Sequence, residues 1–149
     1  MRAVVQRVSR GRVTVEGRTT GQIGNGVVVL VGVGRNDSPE SARYLADKIA
    51  HLRIFEDAEG KMNRSLIDTG SAALVISQFT LYGDVRRGRR PAFDQAAAPD
   101  AAIRLYQTLI ESLRASGVCV ETGVFQADMT VELANEGPVT ILLDSEKLF

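Results

Sequence analysis

One run of residues constrains this chain more than any other. Residues 27–33 read Val-Val-Val-Leu-Val-Gly-Val, with no polar side chain among them. A strand with one wet face alternates apolar and polar residues, and this run does not alternate. It therefore predicts a central strand covered on both faces. The Gly24-Asn25-Gly26 triplet before it is a turn signal.

The rest of the chain can be read around that strand. Residues 2–8 and 12–16 are two short strand candidates, and the second alternates through Val13 and Val15. A helix follows the central run, with Ser38 as N-cap, Pro39 at the first helical position and Glu40 at the positive dipole end. Ala42, Leu45, Ile49 and Leu52 form its apolar stripe. Residues 52–56 and 73–81 read as strands, and Asp57-Ala58-Glu59-Gly60 as a turn. A second helix is predicted from Pro99 to Ser116, with Ile103, Tyr106, Ile110 and Leu113 inward and Gly117 as its stop. Residues 118–125, 129–134 and 139–143 complete the strands. The pattern predicts an α+β fold, a small β-barrel-like curved sheet with two covering helices.

Composition closes off several classes. A chain of 149 residues buries about 68–70% of its unfolded surface, so one domain over 1–149 is expected, needing neither disulfide nor metal. Cys119 is the single cysteine and cannot pair within the chain. No apolar run approaches the roughly 20 residues of a membrane span, and Met1–Arg10 reads as a first strand rather than a leader. The expectation is a soluble cytoplasmic protein with no membrane partner.

The formal charge is zero but unevenly placed. Residues 1–36 hold six Arg against Glu16, whereas residues 120–149 hold six acids against Lys147. Four arginines cluster at Arg86, Arg87, Arg89 and Arg90 around Gly88. Arginine matches phosphate with a bidentate fork, so this loop is a candidate phosphate contact as well as an ordinary solvated loop.

Most catalytic constellations are absent. His51 is the only histidine and sits in a helical stripe, which leaves no base for a Ser-His-Asp relay. One His and one Cys do not make a zinc site, and no metal or cofactor is expected. There is no GxxxxGK[ST] loop, and Gly32-Val33-Gly34 lacks the third glycine of a dinucleotide fingerprint. Glu56, Asp57 and Glu59 read as a solvated turn. Any enzyme built here must rely on hydroxyls, backbone amides or its substrate's own atoms.

Two segments resist a purely structural reading. Ser77-Gln78-Phe79-Thr80-Leu81 ends an apolar strand with three polar side chains, and a buried polar group without a partner costs roughly 1–3 kcal/mol. Asn135-Glu136-Gly137-Pro138-Val139-Thr140 joins two strands through a Gly-Pro pair. An X-Pro bond is cis in only about 5–6% of folded cases, and a cis bond marks a tight turn, while glycine leaves its backbone carbonyl uncovered.

SQFTL followed about sixty residues later by NEGPVT resembles the D-aminoacyl-tRNA deacylase family. So do the opening MRAVVQRVSRGRVTVEG, Arg53-Ile54-Phe55, Glu59-Gly60-Lys61-Met62-Asn63, Arg90-Pro91-Ala92-Phe93 and Ala127-Asp128-Met129. The resemblance runs from Met1 to about Leu143, and the tail Asp144–Phe149 matches no motif. It implies a homodimer that hydrolyses the ester between a D-amino acid and the terminal ribose of tRNA. Glycine mischarged on tRNA-Ala is an implied further substrate. In that family's scheme Ser77, Gln78, Phe79 and Thr80 line the pocket from one subunit. Gly137-Pro138, in cis, enters in trans from the other, held by Arg7. Met129 and Phe79 pack near the terminal adenine. A rigid backbone wall would exclude an L side chain by clash while leaving room for D. Thr80 is one candidate nucleophile. The other route has the ribose 2′-hydroxyl activate water, with amides near Phe79 and Thr80 holding the oxyanion. Two rivals remain: a noncatalytic RNA-binding module, and a Thr-dependent esterase of small molecules.

Overall fold

The computed structural model describes residues 1–149. β1 (Arg2–Val15) is one long bent strand where two short ones were expected. It stays continuous because its irregularities are bulges, at Gln6/Val8, Val8/Arg10 and Val13/Thr14, rather than chain breaks. β2 (Arg18–Ile23) and β3 (Gly26–Gly32) follow each other antiparallel to β1, β2 pairing its second half and β3 its first. Gly24-Asn25 is therefore a kink between two segments of one edge, not a chain reversal.

α1 (Pro39–His51) begins as the sequence predicts, with Ser38 and Ser41 capping each other and Pro39 in the first turn. β4 (Phe55–Glu56) and β5 (Met62–Arg64) form a small hairpin whose turn is organised by Asp57. A one-turn helix, α2 (Leu66–Thr69), then adds a third helix to the expected two. Its signal is Ser65-x-x-Asp68, a capping box in which each side chain satisfies the other's backbone amide. β6 (Ala72–Ser77) runs parallel to β3 and ends four residues before the expected Leu81. α3 (Pro99–Ala115) returns the chain to β7 (Val120–Thr122), parallel to β6. β8 (Thr130–Asp144) is a single strand along the other edge of β1, where two strands were expected.

The sheet is nearly closed into a barrel. Gly21 of β2 approaches β7 so tightly that a Cβ there would lie 2.6 Å from the Thr122 carbonyl oxygen. Inside the curl, Val8, Val13, Ile23, Val28, Leu74 and Ile76 form one core. On the outer face, Val27, Val29 and Val31 join Leu45 and Ile49 of α1 and Leu109 and Leu113 of α3 in a second. Alternate residues of β3 thus feed two cores, as the unbroken apolar run requires. No helix is long and apolar enough to cross a membrane.

Candidate functional site

A cavity of about 590 Å³ opens at the C-terminal end of β6. Ser77, Gln78 and Phe79 line it from the end of β6, and Met129 lines it from the segment before β8. Phe125, Ala97 and Ala102 line its apolar part. The strand stops here because Gln78 leaves the extended register (φ −145°, ψ 80°), after its N–H donates to the Val31 carbonyl at 2.7 Å. Residues Phe79–Tyr82 then form a 3₁₀ turn, closed by Gly83 N–H donating to the Thr80 carbonyl at 2.9 Å. The first N–H groups of such a turn have no partner within it, so the Phe79 and Thr80 amides remain available to another acceptor.

The polar side chains at this strand end are partly self-satisfied. Gln78 donates its side-chain amide to Thr80 Oγ1. Ser77 lines the cavity half-buried. Phe79 is 58% exposed, and its ring meets Phe93 edge to face at 5.0 Å. Gly123 allows Met129 its position, since a Cβ there would stand 2.5 Å from the thioether sulfur. His51 bonds within α1, to the Asp47 carbonyl at 2.9 Å. No group of three or more His, Cys, Asp or Glu side chains converges to hold a metal.

Gly137-Pro138 lies elsewhere in the chain. Val8 pairs with Asn135 and Gln6 with Thr140, so residues 136–139 bulge out opposite Arg7 alone. The Gly137-Pro138 peptide is cis. Asn135 staples the bulge: its Oδ1 accepts from Val139 N–H at 3.2 Å, and its Nδ2 donates to Thr140 Oγ1 at 3.1 Å. Gln6 donates to the same hydroxyl at 3.2 Å. Asn135 and Thr140, the two ends of the NEGPVT segment, thus hold the Gly-Pro pair between them. Behind the bulge, the Arg7 guanidinium is buried and donates to the Ile54 carbonyl at 2.7 Å. Glu136 and Glu56 flank it at 3.7 and 4.0 Å, and its Nε has no hydrogen-bond partner.

Two strands, β1 and β3, stand between this bulge and β6. With strands about 4.8 Å apart, the bulge is roughly 14 Å from the strand end across the sheet, and it is offset along the strands as well. Neither Gly137 nor Pro138 lines the cavity of its own chain.

The arginine loop is a short arm. Asp84 and Ala92 close its base with two backbone hydrogen bonds of 2.8 and 2.9 Å. Arg86 is engaged by Asp84, at 2.9 Å through Nε and 2.6 Å through Nη2. That pairing holds the Asp84 carboxyl down at about 2. Arg87, Arg89 and Arg90 are exposed at the tip. The arm meets the cavity rim through Phe93, next to its base, which packs on Phe79.

Residues 4–144 match the family model described as D-Tyr-tRNA(Tyr) deacylase. A D-aminoacyl-tRNA deacylase of Symbiobacterium thermophilum is 65% identical over 149 residues, covering 100% of this chain and 99% of the relative. One from Koribacter versatilis is 62% identical over the full length of both. Among solved structures, a c-Myc DNA unwinding element binding protein superposes with a TM-score of 0.90 at 39% identity, covering 97% of this chain and 98% of that one. A probable eukaryotic D-amino acid tRNA deacylase shares the fold, with a TM-score of 0.83 at 22% identity over 95% and 97% of the two chains. With its near-closed sheet, its strand-end cavity and full-length identity of this order, the chain belongs to the D-Tyr-tRNA(Tyr) deacylase family.

Proposed function

We infer that this chain hydrolyses the ester joining a D-amino acid to the 3′-terminal ribose of tRNA and spares the L ester. The observation that carries the reading is the cavity itself: Ser77, Gln78, Phe79 and Met129 together line about 590 Å³ of space at the end of β6. A planar adenine fits between an aromatic ring and a thioether. The terminal ester then lies toward the free amides of Phe79 and Thr80.

Selection and chemistry separate in this scheme. The Gly137-Pro138 bulge does not reach its own cavity, and we propose that it completes the cavity of a second copy, in a homodimer. Its backbone then forms the wall against which an L side chain clashes and a D side chain does not. Such a wall makes no contact specific to one side chain, so D-amino acids are accepted broadly and glycine is tolerated. Arg7 supports the wall from beneath.

Hydrolysis proceeds by addition of water to the ester carbonyl carbon. The bond to the ribose 3′-oxygen breaks, one water proton ends on that oxygen, and free amino acid and deacylated tRNA result. Thr80 is a poor nucleophile here, because its hydroxyl accepts from Gln78 and no base adjoins it. The ribose 2′-hydroxyl is the better activator of water. The Phe79 and Thr80 amides stabilise the oxyanion, for which such a donor contributes about 2.7–4 kcal/mol. The exposed Arg87, Arg89 and Arg90 contact acceptor-stem phosphates, a sequence-independent attraction. We place this activity in the cytoplasm, where aminoacylated tRNA is used.

The test pairs D-tyrosyl-tRNA with L-tyrosyl-tRNA, with a 2′-deoxy terminal adenosine as control. Loss of the D ester alone, abolished in the deoxy substrate, supports both selection and the RNA-assisted route. No turnover of either ester by folded protein leaves a noncatalytic RNA-binding module. Turnover that ignores the missing ribose hydroxyl leaves a Thr80-dependent esterase. Mixed dimers of a Gly137 variant and a Phe79 variant examine the trans arrangement, since one complete cavity survives in each only if the bulge acts across the interface.

A further inference from the structure

We propose that Arg2, which lines no part of the cavity, is a positioning residue for the reaction at the end of β6. The proposal rests on the functional reading above. One guanidinium ties three segments together. Its Nε lies 3.3 Å from Asp144 Oδ2 on β8, its Nη1 donates to the Leu81 carbonyl at 3.1 Å, and its Cζ stands 4.5 Å above the Tyr82 ring. Leu81 and Tyr82 are the second half of the turn whose first half is Phe79-Thr80.

That turn needs an external anchor. None of its residues is buried in the core, and its internal backbone bonds are few and include a 3.3 Å contact from Leu81 N–H to the Gln78 carbonyl. Tyr82 fixes its far end. A Cβ on Gly34 would lie 2.6 Å from the hydroxyl, so glycine there leaves the space that the ring fills, and Gly32 flanks it, where a Cβ would lie 3.2 Å from Tyr82 Cδ2. The hydroxyl reaches Asp37 Oδ2 at 3.4 Å, and Asp37 also accepts from Gly34 N–H at 2.6 Å and pairs with the Met1 ammonium. Burial raises the Tyr82 phenol above its ordinary range, so it stays a neutral donor. Arg2 covers a face of the ring by cation–π contact and takes the Leu81 carbonyl besides. Turn position then follows β1, and a displacement of order 1 Å at a reacting centre costs about a hundredfold in rate.

The experiment compares wild type, Arg2→Ala and Arg2→Lys in single-turnover deacylation of D-tyrosyl-tRNA, with KM measured alongside and amide exchange followed by residue. The expected result is a rate loss of about tenfold or more in Arg2→Ala with KM within about twofold. Arg2→Lys, which keeps the charge but not the fork, falls between. Exchange accelerates at residues 79–82 and is unchanged in β6 and α3. An unaltered rate in folded Arg2→Ala overturns the proposal, as does a rate loss with uniformly weakened protection. Tyr82→Leu, which empties the socket, carries the same prediction if Arg2→Ala does not fold. Failure of wild type to cleave either ester sinks the functional reading alone, and the exchange contrast still judges the role of Arg2.

Discussion

Arg7 packs against Gly137 so closely that a Cβ on the glycine would lie 3.1 Å from the guanidinium Nη2. The same Cβ would stand 2.8 Å from Val139 Cγ2, and Gly137 sits at φ +117°. Gly137→Ala therefore meets both a backbone conformation that L side chains rarely adopt and a wall on two sides. We expect a destabilisation of about 1–3 kcal/mol and a lower ratio of D to L ester hydrolysis. Denaturant unfolding and the paired deacylation assay measure the two effects, and a variant with wild-type stability and selectivity would contradict the assignment.

Thr80 receives a hydrogen bond from Gln78 and has no neighbouring base. Thr80→Ala should retain activity within about tenfold of wild type, whereas loss of a true nucleophile costs several orders of magnitude. A loss of the larger size in a folded variant returns the nucleophile to Thr80.

Arg87 and Arg89 stand at the tip of the arm, free of the Asp84 pairing that occupies Arg86. Reversing both charges should raise KM for full-length tRNA and leave hydrolysis of a short 3′-terminal fragment unchanged. The salt dependence of binding should flatten by roughly 0.7–0.9 in log–log slope for each phosphate that the arm no longer neutralises. Equal damage to fragment and full tRNA would place the arm's effect inside the cavity.

Asp84 at the base of that arm has its carboxyl held down at about 2 by Arg86, against an ordinary value of 3.8. A depressed carboxyl contributes above its unfolded pKa and loses that contribution as pH falls through the folded one. The Asp84–Arg86 pairing should be intact above about pH 4 and open only toward pH 2. A carboxyl carbon titration by NMR reads the midpoint directly, and a midpoint near 3.8 would mean that the pair does not form in solution.

Leu74 occupies the barrel interior, fully buried, with its methyl carbons 3.5 and 3.0 Å from where Cβ atoms on Gly11 and Gly21 would be. Leu74→Ala leaves a void that rigid strands on both sides cannot fill. We expect a loss of about 2–5 kcal/mol in unfolding free energy. A cost under about 1 kcal/mol would show that the curl of the sheet collapses onto the space.

Much of this architecture was legible because its causes are local. The apolar run 27–33 demanded two covered faces, and Val28 and Val29 do point into different cores. Ser38-Pro39-Glu40 and Gly117 marked helix ends through capping chemistry that involves only neighbouring residues. What escaped depended on distant partners. The end of β6 at Ser77 follows from the exit of Gln78 from register, and the continuity of β1 and β8 follows from their pairing with each other. At the site, Ser77, Gln78, Phe79 and Met129 stood out and do share a cavity. Phe125, Ala97 and Ala102 complete it without announcing themselves, since apolar and small residues from separate segments bear no chemical mark. Arg7 and Gly137 are neighbours, as the resemblance implied, and the sheet separates them from the cavity of their own chain.

β8 pairs only with β1, so fifteen residues of strand present an open edge. An uninterrupted edge of that length is a template on which other chains can add strands without limit. Here the ladder is cut in its middle: four residues bulge opposite Arg7, and Pro138 has no N–H to offer. Each remaining stretch is short, and Glu132 and Glu136 place charge along it. The bulge opposite Arg7 thus also guards the open edge of β8 against fibrous self-association.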